Sequence, residues 1–296
     1  MEYLIGEGCA VFGFDLAQMP PFETPTHATY YSGDLCDKGT AENLISSSRP
    51  DIVYHFAGIL RSENPIDVYH SNVTGTVTLL EAIQKQALKP KILIASSSAV
   101  YGDTSSKKPI TERSNVQPVT HYGASKAAQE LGARQYFLSS QMPILFARTF
   151  NLIGPGQPLG LACSDFAHQI AMAEMGRSMR TVVTGELHTK RDFIDVRDAV
   201  HAYTLIVKLG TPGLAYNVCS GKYASIGECL RILIKMAKVP LTTTQDVTRV
   251  HKDDVPFQVG SPARLRRLTG WKPKLPLRRS LEDLLDYWRG KVMSPE

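Results

Sequence analysis

The 296-residue chain contains no run of 18 or more apolar residues, which argues against a helix that crosses a bilayer. Its opening, "MEYLIGEGCAVFGFD", has no charged n-region followed by a long apolar stretch, so it does not read as a signal peptide. Cysteine is sparse: Cys9, Cys36, Cys163, Cys219 and Cys229 are scattered, odd in number, and free of CxxC or Cys/His clustering. That pattern argues against a disulfide framework or a metal centre, and reduced thiols in a cytoplasmic protein are the expectation. Internal repeats and low-complexity segments are also missing. Much of the net charge of +5 sits in "ARLRRLTGWKPKLPLRRS", which holds a single aromatic, Trp271, and no groove-reading motif. This basic stretch therefore reads as a solvated face or a contact for a phosphate-bearing ligand, not as a nucleic-acid surface.

What is present is alternation. "CAVFGFD" (9–15), "PDIVYHFAG" (50–58), "PKILIASSS" (90–98) and "PILFARTFN" (143–151) are short apolar runs that predict buried strands. Helical patterns at about 65–87 and 118–139 separate the later ones. Strands that are apolar throughout, with helices between them, predict a doubly wound parallel sheet covered on both faces. After Asn151 the texture changes to a Gly/Pro-rich loop, "LIGPGQPLG", and then to mixed short strands and helices, which predicts a smaller mixed C-terminal lobe. In that lobe "SPARLRRLTG" predicts a helix stopped by Gly270. "SLEDLLDYWRG" predicts a last helix capped by Ser280 and stopped by Gly290.

A dinucleotide-binding sheet normally opens with a strand and a Gly-rich turn. "GEG" at 6–8 does not supply it, because the third glycine would fall at Val11 and a strand follows these glycines instead of preceding them. "MEYLIGEG" then reads as the tail of a first helix and "CAVFGFD" as the second strand. A first strand and phosphate turn, about 15–20 residues, are expected ahead of it. Asp15, at the end of its strand, is placed to accept hydrogen bonds from the adenosine ribose hydroxyls.

Chemistry concentrates in "HYGASK". Tyr122 and Lys126 are four residues apart and share a helix face. An ammonium close to a phenol stabilises the phenolate, so Lys126 is expected to lower the Tyr122 pKa and fit it for acid–base work. The spacing alone is weak, since Tyr287 and Lys291 repeat it near the C-terminus, where it reads as a surface helix end. The first pair differs because a buried strand ending in "SSSAVYGD" lies upstream, with hydroxyls where a ligand crevice should open.

Together "SSSAVYGD", "HYGASK", "RTFNLIGPGQ", "RDFIDVRDAV", "YNVCSG" and "LTGWKP" resemble the extended short-chain dehydrogenase/reductase (NAD-dependent epimerase/dehydratase) family that acts on nucleotide sugars. Within it the texture is similar to reductases of GDP-4-dehydro-6-deoxy-D-mannose. The resemblance implies a Rossmann domain at 1–158 plus 192–222, a nucleotide-sugar lobe at 159–191 plus 223–296, and the cofactor NAD(H) or NADP(H). It implies Ser97 as catalytic hydroxyl, with Ser96 and Ser98 as alternatives in register, Tyr122 as acid–base and Lys126 as its partner. Asp15, Asp34, Leu35, Ala57, Gly58 and Asn72 would line the cofactor, together with Tyr122 and Lys126. Ser98, Asn151, Gln157, Arg191 and Arg249 would face the sugar nucleotide, with His251 and Lys252 competing for the role of Arg249. Related 4,6-dehydratases place acids directly after the catalytic hydroxyl, and here those positions are Ser98 and Ala99, so C4 redox is expected instead of dehydration. Epimerisation of a UDP-sugar at C4 and a catalytically impaired sugar-nucleotide-binding protein are the alternatives. The family also implies a homodimer built on the helices at 65–87 and 118–139.

Overall fold

Strands and helices are interleaved along the chain. The computed structural model describes residues 1–18, 27–103, 108–249 and 255–293. In chain order the elements are α1 (Glu2–Gly6), β1 (Val11–Asp15), β2 (Ala28–Ser32), α2 (Lys38–Ser48), β3 (Ile52–His55), α3 (Pro65–Tyr69), a π-helical turn (His70–Thr74), α4 (Gly75–Lys85), β4 (Lys91–Ser97), α5 (His121–Ser140), β5 (Ile144–Thr149) and β6 (Asn151–Ile153). They continue with α6 (Ala162–Glu174), β7 (Thr181–Thr184), β8 (Lys190–Arg191), β9 (Phe193–Asp195), α7 (Val196–Leu209), β10 (Ala215–Val218), β11 (Ala224–Ser225), α8 (Ile226–Met236), β12 (Thr242–Gln245), β13 (Phe257–Gln258), α9 (Ala263–Thr269) and α10 (Leu277–Met293). None of the helices among the described residues is long and apolar enough to cross a membrane.

Two compact units result. The first comprises Met1–Val100, Val116–Arg148 and Tyr203–Ala215; the second comprises Tyr101–Asn115, Thr149–Ala202 and Tyr216–Glu296. The strand order β10-β5-β4-β3 gives a four-stranded sheet, in which β3 and β4 run parallel with His55 opposite Ile94. β1 and β2 form a parallel two-stranded sheet of their own, Asp15 opposite Ser32.

Around these strands the first unit buries Ile92, Ile94, Ile144 and Phe146 against Leu79, Leu80 and Ile83 of α4 and Ala133 and Tyr136 of α5. β5 is buried at every position, as a strand covered on both faces must be. Truncating one of these side chains, such as Leu80, to alanine would cost about 2–5 kcal/mol through lost transfer energy and the cavity left behind.

The second unit packs α6, α8 and α10 around Phe166, Ile170, Leu230, Leu233, Leu281 and Leu284. Its short strands pair as β6 with β9, β7 with β12, and β11-β8-β13. Gly270 ends α9 in the left-handed conformation at φ 72°, as the sequence predicts.

The last helix differs from expectation at both ends. It begins at Leu277, after Pro276, and runs through Gly290 to Met293. Ser280 is not its cap but a buried interior residue, and its hydroxyl donates to Asp195 Oδ2 at 2.6 Å. That bond consumes the capping group, and a single glycine in a helix interior costs only about 1 kcal/mol, too little to stop a helix that is packed along one side.

Candidate active site

Strand β4 ends at Ser97 and α5 begins at His121, with Thr120 as its N-cap accepting from Gly123 N. Gly123 allows the close approach. A Cβ there would lie 2.5 Å from the Ala99 carbonyl oxygen. The first turn of α5 therefore lies directly against the residues that leave β4, and the Ser97 hydroxyl hydrogen-bonds the Tyr122 phenol.

The serine run thereby resolves. Ser96 is buried and donates to Glu130 Oε1, which also accepts from Arg148 Nε at 2.8 Å. Ser97 faces Tyr122 and accepts from Ala99 N at 3.1 Å. Ser98 is buried.

Lys126 is 5% exposed, an unusual place for an ammonium. It donates to the Ala95 carbonyl at 2.9 Å and to Gln129 Oε1 at 3.1 Å. Burial holds its pKa down to about 8, while the Glu130 carboxylate works in the opposite direction. Glu130 forms a two-pronged ion pair with Arg148, whose second arm is 2.6 Å long.

One expectation is reversed. Lys126 does not pull the Tyr122 phenol down: burial pushes that phenol up, and the hydrogen bond from Ser97 is what lowers it. The reason is direction. The ammonium lies 6.0 Å from the Tyr122 ring centroid and spends two of its protons on Ala95 and Gln129.

The second Tyr/Lys pair has nearly the same internal geometry, Lys291 lying 5.9 Å from the Tyr287 centroid, yet Lys291 is exposed. Spacing sets the distance; burial and the neighbouring hydroxyl set the chemistry.

Asn72 occupies the π-helical turn and is fully buried. Its amide accepts from Ile59 N at 2.9 Å and donates to Ile59 O at 3.1 Å and to Ser125 Oγ at 2.8 Å. It thus ties the loop after β3 to α5. Gly58, at φ +151°, packs so closely on this amide that a Cβ would sit 2.3 Å from Asn72 Oδ1 and 3.4 Å from Lys126 Nζ. Ala57, beside it, is exposed. At the end of β1 the exposed Asp15 carboxylate accepts from Ala17 N at 3.1 Å, and the exposed Asp34 accepts from Cys36 N at 2.8 Å. Leu35 joins the apolar core of the unit.

The residues assigned to sugar-nucleotide contacts, Ser98 aside, belong to the second unit. Asn151 Nδ2 donates to the Asp192 carbonyl at 3.1 Å. Gln157 Nε2 donates to Leu152 O at 2.8 Å, while its Oε1 is buried without a partner. Arg191 donates to the Val255 carbonyl, and the exposed Arg249 pairs with Asp246 at 3.5 Å. His251 and Lys252 lie outside the described residues.

Several working residues were not singled out in the sequence. In "RDFIDVRDAV" the acids act as braces. Asp192 accepts from Ser220 N and Oγ, Gly221 N and Gly260 N, and burial raises its pKa to about 6 against those bonds. Asp195 holds Arg197 and Ser280, and Asp198 accepts from Lys274 N and Leu275 N. In the first unit Gln129, Thr76 and His55 form a buried polar chain under Lys126. The available signal was polarity on the core-facing stripe of α5, where Ser125, Lys126, Gln129 and Glu130 share the buried side with Ala133 and Tyr136.

A hydroxyl, a phenol and a buried ammonium at the C-terminal end of a parallel strand form an arrangement for moving a proton at a bound oxygen. The family model described as GDP-mannose 4,6 dehydratase matches residues 14–284. The GDP-6-deoxy-D-mannose reductase of Pseudomonas aeruginosa is 34% identical over 248 residues, 82% of each chain. The solved structure of RMD from Pseudomonas aeruginosa complexed with NADPH superposes with a TM-score of 0.84 at 29% identity, covering 95% of this chain and 100% of that one. The Thermus thermophilus UDP-glucose 4-epimerase in complex with NAD gives 0.87 at 26% identity, covering 98% and 94%. The chain therefore belongs to the GDP-mannose 4,6-dehydratase family, within the extended short-chain dehydrogenases/reductases.

Proposed function

We propose that the protein is an NAD(P)H-dependent reductase of the C4 ketone of a nucleotide-linked 6-deoxyhexose, GDP-4-dehydro-6-deoxy-D-mannose, giving GDP-D-rhamnose. The observation that carries this reading is the Ser97–Tyr122 hydrogen bond at the end of β4, with the buried Lys126 one helical turn along. The residues fit a nicotinamide dinucleotide. Lys126 has three protons and two protein acceptors among the described residues, which leaves one N–H for a ribose hydroxyl. When bound, the dinucleotide supplies the hydride.

The protein's own groups handle the proton. Burial keeps the Tyr122 phenol protonated at neutral pH, the form that donates to an alkoxide growing at C4. The Ser97 hydroxyl hydrogen-bonds the same oxygen and stabilises its developing charge. Asp15 would hold the adenosine ribose, and Arg191 and Arg249 the diphosphate, which a guanidinium matches bidentately. Neither Ser98 nor Ala99, after Ser97, can remove a C5 proton, so the family's dehydratase name does not extend to dehydration here.

C4 epimerisation of a UDP-sugar is the second reading. It uses the same three side chains, and the likeness to the Thermus thermophilus enzyme favours it. Incubation with the GDP-keto-sugar and NADH or NADPH separates the two. Loss of reduced nicotinamide supports the reductase; interconversion of UDP-glucose and UDP-galactose without net consumption refutes it. Tyr122→Phe should lower turnover about a hundredfold or more, and Tyr287→Phe should leave it unchanged.

A homodimer is part of the same proposal. Leu131 and Leu138, two turns apart on α5, are each 71% exposed and line one groove with Gln135.

A further inference from the structure

Beneath Lys126 the buried polar side chains form a chain whose proton directions are fixed by chemistry. The Thr76 hydroxyl lies 2.7 Å from the Asn72 carbonyl, which can only accept, so its single proton goes there. The hydroxyl must then accept from its two other neighbours, Gln129 Nε2 at 2.7 Å and His55 Nε2 at 2.7 Å. This assigns the Nε2–H tautomer to His55 and makes the 3.4 Å approach of Gln129 Nε2 to His55 Nε2 a meeting of two donors. The Gln129 amide has no freedom to flip, because its other end faces an ammonium, which can only donate, at 3.1 Å.

We infer that Gln129 is a positioning residue: its carbonyl fixes the Lys126 ammonium, and the Thr76 hydroxyl fixes Gln129 in turn. The chain joins α5 to the π-helical turn that carries Asn72, so the Thr76 hydroxyl couples the Gln129 anchor of Lys126 to that turn. With one proton on the Ala95 carbonyl and one on Gln129, the third Lys126 N–H has a defined direction. Loss of the Gln129 carbonyl would leave one anchor and a side chain free to change rotamer. The other groups that act on Lys126 are Tyr122 and Glu130 on its own helix and the neutral His55 on β3, with Glu130 paired to Arg148 on β5.

This inference rests on the proposed function only for the purpose Lys126 serves, so its test reads Lys126 directly. The full-length protein is labelled at lysine Cε, the Lys126 signal is assigned with Lys126→Arg, and its titration is followed by NMR in wild type, Gln129→Leu and Gln129→Glu. The leucine removes an acceptor from the charged form and should move the midpoint down by about one pH unit; the glutamate adds a negative charge beside it and should move it up by at least as much. Where turnover is measurable, the alkaline limb of kcat/KM should follow the same two directions. Unmoved midpoints, or movement of both in one direction, in proteins whose thermal melts show them folded, would overturn the inference. Should Gln129→Leu fail to fold, Gln129→Glu decides: an unmoved midpoint sinks the idea. Divergent midpoints without reductase activity would leave Gln129 in place and refute the function.

Discussion

His55 makes the protein sensitive to acid in a way that can be isolated. Burial first, and the Lys126 ammonium second, push its pKa down to about 3. In the unfolded chain it returns to about 6.5. Between those values the unfolded state binds a proton and the native state does not, so stability falls as pH drops below about 6.5. From pH 7 to pH 5 this group should remove about 2 kcal/mol, a sizeable part of the roughly 5–15 kcal/mol typical of a folded protein.

Asp192 works with the opposite sign. Its native pKa of about 6 lies above the ordinary carboxylate value, so its protonation over the same interval stabilises the fold. That gain is about 1 kcal/mol from pH 7 to pH 5. The two contributions oppose one another, so a difference measurement is needed to show the His55 share. His55→Gln keeps an N–H for Thr76 and cannot titrate. Urea unfolding by far-UV circular dichroism at pH 7, 6 and 5 should show the variant gaining about 2 kcal/mol on wild type across the interval. Parallel pH dependences in the two proteins would refute the claim that His55 is buried neutral.

Gly123→Ala should be harmful although alanine favours a helix interior by about 1 kcal/mol, because the new Cβ would sit 2.5 Å from the Ala99 carbonyl oxygen and 3.0 Å from Pro118 Cβ. A tenfold or greater loss of kcat/KM with a lower Tm is the expected result, roughly what misplacing a catalytic group costs. Ala87 holds a left-handed backbone at φ 52°, so Ala87→Gly should raise unfolding stability by about 1 kcal/mol, read by denaturant titration. The double variant Leu131→Glu, Leu138→Glu should sediment as a monomer where wild type sediments as a dimer; identical sedimentation of the two would remove α5 from the interface.

Much of the first unit was legible because its signals are local. The strands at 11–15, 52–55, 91–97 and 144–149 are short apolar runs, and α5 announces itself by its helical pattern and by the four-residue spacing of Tyr122 and Lys126. β2 and α2 were not foreseen. Neither "ATYYS" nor "KGTAENLISSS" carries a strong apolar period, and both owe their form to partners, β1 in one case and α4 in the other. The Ser280 cap was misjudged because a hydroxyl that suits a helix end also suits a buried carboxylate 85 residues away in sequence.

By itself, then, the sequence determined the α/β alternation, the family and a candidate site of a serine run beside a Tyr/Lys pair, since periodicity and motif order are properties of neighbouring residues. Only tertiary structure decided which serine meets Tyr122, which way the Lys126 ammonium points, and that Gln129, Thr76 and His55 meet beneath it. Those outcomes depend on burial and on hydrogen bonds between segments far apart in the chain, where the energy of a polar group is set by what surrounds it and not by its neighbours in sequence.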